Sequence, residues 1–156
     1  VATSHSKDLA LAGERIGFLA VNPGYEDASE LVDGLTFCNR ILGFVNAPAT
    51  MQLIVKHLQS VTVDVGEYQS KRDILYAELT DIGYSVVKPQ GAFYMFPRSP
   101  IQDDVAFVDE LRNKRILVVP GRGFGVSGHF RIAYCVSDAT LEGSLPGFRA
   151  AFEHFS

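Results

Sequence analysis

Apolar runs of about four to six residues alternate along this chain with longer segments whose apolar residues recur at helical spacing. That alternation is the strongest constraint on its fold. Ile16 to Val21, closed by Asn22-Pro23-Gly24, reads as a strand buried on both faces and stopped by a turn. Asp27 to Leu42 places Ala28, Leu31, Val32, Leu35, Cys38, Ile41 and Leu42 at helical spacing, so a helix is expected there despite Gly34. Pro48 and Thr50 open a second helix running to about Val61. Val65 to Ile82 reads as a third, with Gly83 just past its end. Beyond it, Tyr84 to Val87 and Ala92 to Phe96 read as two strands of a hairpin around Pro89-Gln90-Gly91. Asp103 to Asn113 is expected to be helical, Ile116 to Val119 and Phe130 to Val136 to be strands, and Pro120 to Gly125 to be a loop. Asp138 is the expected cap of a closing helix from about Ala139 to Phe155, which Gly143, Pro146 and Gly147 should break or delay. The fold class is therefore α/β. The change of character near Val65 predicts that two structural units meet there.

The 156 residues, 47% of them hydrophobic, suffice for one packed core or for the packed remainder of a larger protein. With 14 basic against 18 acidic residues and no basic cluster, the chain lacks the electrostatic footprint of a nucleic-acid or membrane-surface binder. Cys38 and Cys135 belong to no metal-ligand or C-x-x-C spacing, so no metal is expected; they read as two small buried thiols in a reduced, cytoplasmic setting. The apolar runs are too short to span a bilayer, and no charged-then-apolar leader opens the chain. Its first residue is Val1, which agrees with a chain cut from something longer, as processing would also give.

The chemistry concentrates near the start. Lys7 stands in Ser4-His5-Ser6-Lys7, and eight positions later Gly13-Glu14-Arg15-Ile16-Gly17 supplies a guanidinium flanked by glycines. A lysine amine can condense with an aldehyde, while small hydroxyls and an arginine fork suit a phosphate dianion. A lone lysine is ordinarily a solvated surface charge, so the reading rests on the company Lys7 keeps. Ser4-x-x-Lys7 also matches the nucleophile motif of serine penicillin-recognising enzymes, but Ser137-Asp138-Ala139 departs from Ser-Asp-Asn and no Lys-Thr-Gly follows. The glycine-rich Pro120 to Gly125 lacks the lysine of a P-loop and reads as a tight turn.

Further blocks follow in order: Asn46-Ala47-Pro48 through Gln52, Pro89-Gln90-Gly91-Ala92-Phe93-Tyr94, Val118-Val119-Pro120-Gly121 with Phe124-Gly125, and Phe130-Arg131-Ile132-Ala133-Tyr134. With the lysine block they resemble the carboxyl half of class I/II pyridoxal-phosphate-dependent aminotransferases of fold type I, over nearly the whole chain. The resemblance implies that Lys7 forms the Schiff base with pyridoxal 5'-phosphate and moves the substrate's α-proton. It implies that Ser4 and Arg15 hold the cofactor phosphate, with Ser6 flanking the site or serving the loop, and that Arg131 clamps the substrate α-carboxylate. Asn46 matches a segment that one subunit of a homodimer presents to the active site of its neighbour, although a helix N-terminal turn is an equal reading. Arg40, Arg122 and Tyr94 could touch a distal substrate group, but none of the three is assigned.

By the same resemblance, residues 1–64 are the end of the large cofactor domain and residues 65–156 the small carboxyl-terminal domain. The parent would transfer an amino group between an amino acid and a 2-oxo acid. The family's partner for the pyridine nitrogen and its ring-stacking aromatic lie upstream of the lysine, so the isolated chain is expected to bind cofactor poorly and to lack catalysis. Another fold-type I outcome (lyase, decarboxylase or synthase) and a non-catalytic dimerisation module are the alternatives.

Overall fold

The computed structural model describes residues 1–156, which divide into two compact units, Val1–Val63 and Asp64–Ser156. In the first, strand β1 (Ala2–Ser4) pairs antiparallel with β2 (Gly17–Leu19), Ser4 opposite Gly17 and Ala2 opposite Leu19. Between them lie a single helical turn, α1 (His5–Asp8), and a 3-10 turn at Ala12–Glu14. Helices α2 (Ala28–Ile41) and α3 (Ala49–His57) complete the unit. Its small core is Ile16, Met51 and Val55, packed with Leu9, Leu11 and Ala47.

Three expectations fail in this unit. Of the run read as a doubly buried strand, only Ile16 is buried, and Phe18 and Leu19 are each about half exposed (53% and 52%). The physical reason is that a three-residue, two-stranded ribbon cannot cover both of its own faces. Cys38 is exposed rather than buried, because α2 buries none of its residues within this unit. The second helix stops at His57, not near Val61. Beyond it, the Val63 N–H and the Thr62 hydroxyl both donate to the Asp8 carbonyl, at 2.9 and 3.0 Å, so the chain leaves the helix to satisfy the end of α1.

The second unit opens with α4 (Val65–Ile82), capped by the Asp64 carboxylate on the N–H groups of Gly66 and Glu67 and closed by Gly83 at φ 116°. Strand β5 (Phe130–Ala133) is the centre of a three-stranded antiparallel sheet, with β3 (Tyr94–Met95) on one side and β4 (Val119–Pro120) on the other. Tyr94 lies opposite Ala133, and Val119 opposite Arg131. Burial alternates along β5 as the pleat requires: Phe130 and Ile132 enter the core, while Arg131 and Ala133 face away from it. Helices α5 (Asp104–Asn113) and α6 (Asp138–His154) join α4 around a core that includes Leu75, Leu79, Phe107, Leu111, Phe130 and Phe148.

Tyr84 sits among the rings of Phe107, Phe130, Phe148 and Phe152, and its hydroxyl donates to the Phe148 carbonyl at 2.9 Å. Burial pushes its phenol far above the ordinary range, so Tyr84 is a neutral donor at all working pH values. Tyr84→Phe keeps the packing and removes that one bond. The expected cost is about 0.5–1.5 kcal/mol, read as a lower urea midpoint at unchanged slope.

Tyr84 also explains why the expected hairpin is absent. Residues 84–87 form no strand; Tyr84 is drawn into the aromatic cluster, Ser85 accepts from the Arg98 N–H at 2.9 Å, and Tyr94–Met95 pairs with β5 instead. The run expected as a strand from Ile116 narrows to Val119–Pro120, because Ile116 is buried and its N–H closes the end of α5 on the Leu111 carbonyl at 2.9 Å. Phe130 to Val136 narrows to Phe130–Ala133, and Cys135, just beyond it, is exposed rather than buried because it follows the buried Tyr134 in the pleat. The closing helix runs unbroken through Gly143, Pro146 and Gly147, and its cap is Ser137, whose Oγ accepts from the Thr140 N–H at 3.2 Å. Burial of Leu141, Phe148 and Ala151 outweighs the local penalty, and Gly147 leaves room for the Ile116 side chain against the helix.

Candidate functional site

The Ser4–Lys7 segment is a capped turn. The Ser4 Oγ accepts from the Ser6 N–H at 3.3 Å and donates to the Ser6 Oγ at 2.8 Å, which starts α1 and leaves Lys7 on its exposed surface. His5, the one buried residue of the turn, was not singled out by sequence reasoning. Its N–H donates to the Ile16 carbonyl at 3.0 Å, its carbonyl accepts from Leu11 at 3.1 Å, and its Nδ1 lies 3.1 Å from the Asp8 carboxylate. The ring rests against Phe18 with 6.0 Å between centroids. The signal for such a role was weak: a histidine between two serines carries no period or spacing.

The His5–Ile16 bond continues the β1–β2 ladder and lays the lysine motif beside the arginine motif. Arg15 has left-handed backbone geometry (φ 52°, ψ 50°), and its Nη1 donates to the Ala12 carbonyl at 3.0 Å, leaving other guanidinium N–H groups to face outward. Of the two flanking glycines only Gly17 is sterically required. A Cβ there would collide with the Thr3 carbonyl, whereas one on Gly13 would meet nothing within 4 Å. Gly17→Ala is therefore expected to cost about 1–3 kcal/mol and to loosen the pairing of Ser4 with Gly17, with Gly13→Ala near neutral; paired urea melts check both.

Serine hydroxyls at a helix start, an exposed amine one turn on, and an arginine fork two residues before the adjoining strand form a donor set that fits a phosphate and an aldehyde carbon. The residues present thus fit pyridoxal 5'-phosphate by their chemistry. Asn46 is exposed in the loop between α2 and α3, just after Val45 at φ 52°, and Arg40 is exposed on α2.

Ser4, Ser6, Lys7, Arg15 and Asn46 all belong to the first unit; Arg131 belongs to the second. On β5 its guanidinium carbon lies 4.5 Å from the centroid of the Tyr94 ring and 4.5 Å from that of Phe124. The side chain is half-buried between two aromatic faces rather than pointing freely to solvent. A guanidinium held against two rings is restricted in orientation, and its planar fork of N–H donors can grip a carboxylate through two parallel bonds.

Arg122 is committed elsewhere. Its backbone N–H and Nε donate to the Asp104 carboxylate at 2.8 and 3.0 Å, and its Nη2 donates to Asp103 at 3.0 Å. Burial alone would raise the Asp104 carboxyl, but the Arg122 hydrogen bonds and charge outweigh it and hold the group below the ordinary aspartate range. Stability from this pair is thus present above the unfolded value and is lost as pH falls through the lower folded one. No group of three or more His, Cys, Asp or Glu side chains is arranged to hold a metal ion, and no helix is long and apolar enough to cross a membrane.

Comparison with known proteins matches residues 1–145 to the family described as aminotransferase class I and II. A probable aspartate aminotransferase of Methanocaldococcus jannaschii is 31% identical over 95% of this chain, which spans 41% of that protein. An alanine aminotransferase of Mycobacterium bovis is 34% identical over 76% of the chain, corresponding to 30% of its own length. A crystal structure of an amino transferase from Eubacterium rectale superimposes with a TM-score of 0.88 at 38% identity, covering 100% of this chain and 39% of that one. The match is to the carboxyl-terminal portion of these proteins, and the α/β architecture is that of fold-type I aminotransferases. The chain belongs to the class I and II aminotransferases.

Proposed function

We propose that this chain is the carboxyl-terminal portion of a pyridoxal-5'-phosphate-dependent aminotransferase that moves an amino group between an amino acid and a 2-oxo acid. In this reading residues 1–64 are the end of the large cofactor domain and residues 65–156 the small domain. The observation that carries it is the pairing of the capped Ser4–Lys7 turn with the Arg15–Gly17 segment.

When bound, the cofactor supplies an aldehyde that condenses with amines and a ring that draws electrons from the substrate's α-carbon. Lys7 Nζ is the amine that holds it and, once released, the base that takes the α-proton. Ser4 Oγ and the outward Arg15 N–H groups grip the phosphate, with Ser6 steadying Ser4 through their shared hydrogen bond. Arg131 holds the substrate α-carboxylate in plane between Tyr94 and Phe124. Asn46 faces the neighbouring subunit of a homodimer. A cytoplasmic setting belongs to the same proposal, supported by two exposed, unpaired thiols.

The test is amino transfer by the full-length protein from L-aspartate, L-alanine or L-phenylalanine to 2-oxoglutarate. Formation of glutamate together with the matching 2-oxo acid supports the proposal; decarboxylation or elimination products in its place contradict it. The 156-residue chain alone is expected to show no transfer above background, since it spans 41% of the Methanocaldococcus jannaschii protein and 39% of the Eubacterium rectale one.

A further inference from the structure

Arg131 can present a flat carboxylate-binding edge only if both rings stacked on it are fixed, and the two rings are fixed in different ways. Tyr94 is set by the sheet: β3 is hydrogen-bonded to β5, with Tyr94 opposite Ala133 and so diagonal to Arg131. Phe124 has no strand to hold it. It ends the 3-10 turn Gly121–Phe124, immediately before Gly125 at φ 79°.

That turn is anchored from α5. Asp104, fully buried at 0% exposure, accepts the Arg122 backbone N–H on Oδ2 at 2.8 Å and the Arg122 Nε on Oδ1 at 3.0 Å, with Nη2 2.9 Å from Oδ1. The Asp104 carboxylate is not the cap of α5. That work falls to Asp103, whose Oδ1 accepts from Val105 and Ala106. A buried carboxylate is costly unless it is paired and hydrogen-bonded, and here its bonds go to a single residue two positions before Phe124. The turn is further closed by the Gly121 N–H on the His129 carbonyl at 2.7 Å, and the Phe124 ring meets the edge of Phe96 with 6.1 Å between centroids.

We propose that Asp104, Arg122 and Phe124 are positioning residues for Arg131: the buried Asp104–Arg122 latch sets the 3-10 turn so that the Phe124 ring rests against the guanidinium and, with Tyr94, orients its carboxylate-binding edge. Arg122 thus acts through the loop and not on substrate. The role for carboxylate binding rests on the aminotransferase reading; the latch itself does not.

Two measurements on Asp104→Asn, Phe124→Leu and Phe124→Tyr test this, with Arg149→Ala, which breaks the surface pair with Asp81, as the control. In the 156-residue chain, the Arg131 side-chain protons should show upfield ring-current shifts by NMR. These should diminish in D104N and F124L and persist in F124Y and R149A. In the full-length protein, D104N and F124L should raise KM for both L-aspartate and L-alanine about tenfold, with kcat changing less than KM, and F124Y should restore KM. Phe124 is 46% exposed, so F124L remains informative if D104N fails to fold. Unchanged Arg131 signals in D104N and F124L would overturn the latch. Signals that move as expected with KM unmoved would overturn its role in substrate binding. Signals that move as expected in the variants, together with a wild-type full-length protein that transfers no amino group, would instead overturn the aminotransferase reading and, with it, that binding role.

Discussion

Lys7→Arg in the full-length protein is expected to lower turnover about 10²–10⁴-fold while leaving the fold intact. Arginine keeps the positive charge and the length of the side chain, but its guanidinium neither condenses with an aldehyde nor gives up a proton at working pH. Lys7 is exposed, and its turn is held from several other points: the Ser4 cap, the His5 N–H on the Ile16 carbonyl, and the Asp8 carbonyl bound by Thr62 and Val63. The substitution should therefore shift the melting temperature little. Single-turnover kinetics with a saturating amino acid, beside a thermal melt, separates the two effects. A stable protein retaining near-native turnover would mean that the proton is moved by another group.

Arg131→Lys is expected to lower kcat/KM about 10- to 150-fold, the equivalent of about 1.5–3 kcal/mol for a lost hydrogen bond to a charged group. Lysine preserves the charge but not the planar fork. It stacks poorly between Tyr94 and Phe124, whose centroids each lie 4.5 Å from the Arg131 guanidinium carbon. Because the carboxylate is common to every amino-acid substrate, the loss should be similar for aspartate and alanine. A loss confined to one of them would move Arg131 from the α-carboxylate to a side-chain contact. Arg131 is half-buried on the far side of the pleat from Phe130 and Ile132, so the core should survive the change.

What was legible in the sequence follows from where each signal is completed. The helix Val65–Ile82 could be bounded from sequence because its cap, Asp64, and its stop, Gly83, are local chemistry. The run Ile16–Val21 was misread because burial is a property of neighbours, and the three-residue ribbon supplies them on one edge only. The closing helix was expected to break because Pro146 and Gly147 are local penalties, whereas the burial of Phe148 and Ala151 that outweighs them depends on segments far away in the chain. The same division holds at the site. The two motifs and the family resemblance they carry singled out Ser4, Lys7 and Arg15, but the register that sets Ser4 opposite Gly17 is not written in either motif alone. Nor could spacing find the Asp104–Arg122 latch or the rings on Arg131, which come from residues 94, 104, 122, 124 and 131 on four separate elements.

The most direct test of the central claim is borohydride reduction of the full-length protein loaded with pyridoxal 5'-phosphate, followed by peptide mapping. The proposed function predicts a single pyridoxyl label, on Lys7. An unlabelled Lys7, with the label spread over Lys56, Lys88 and Lys114, would contradict it.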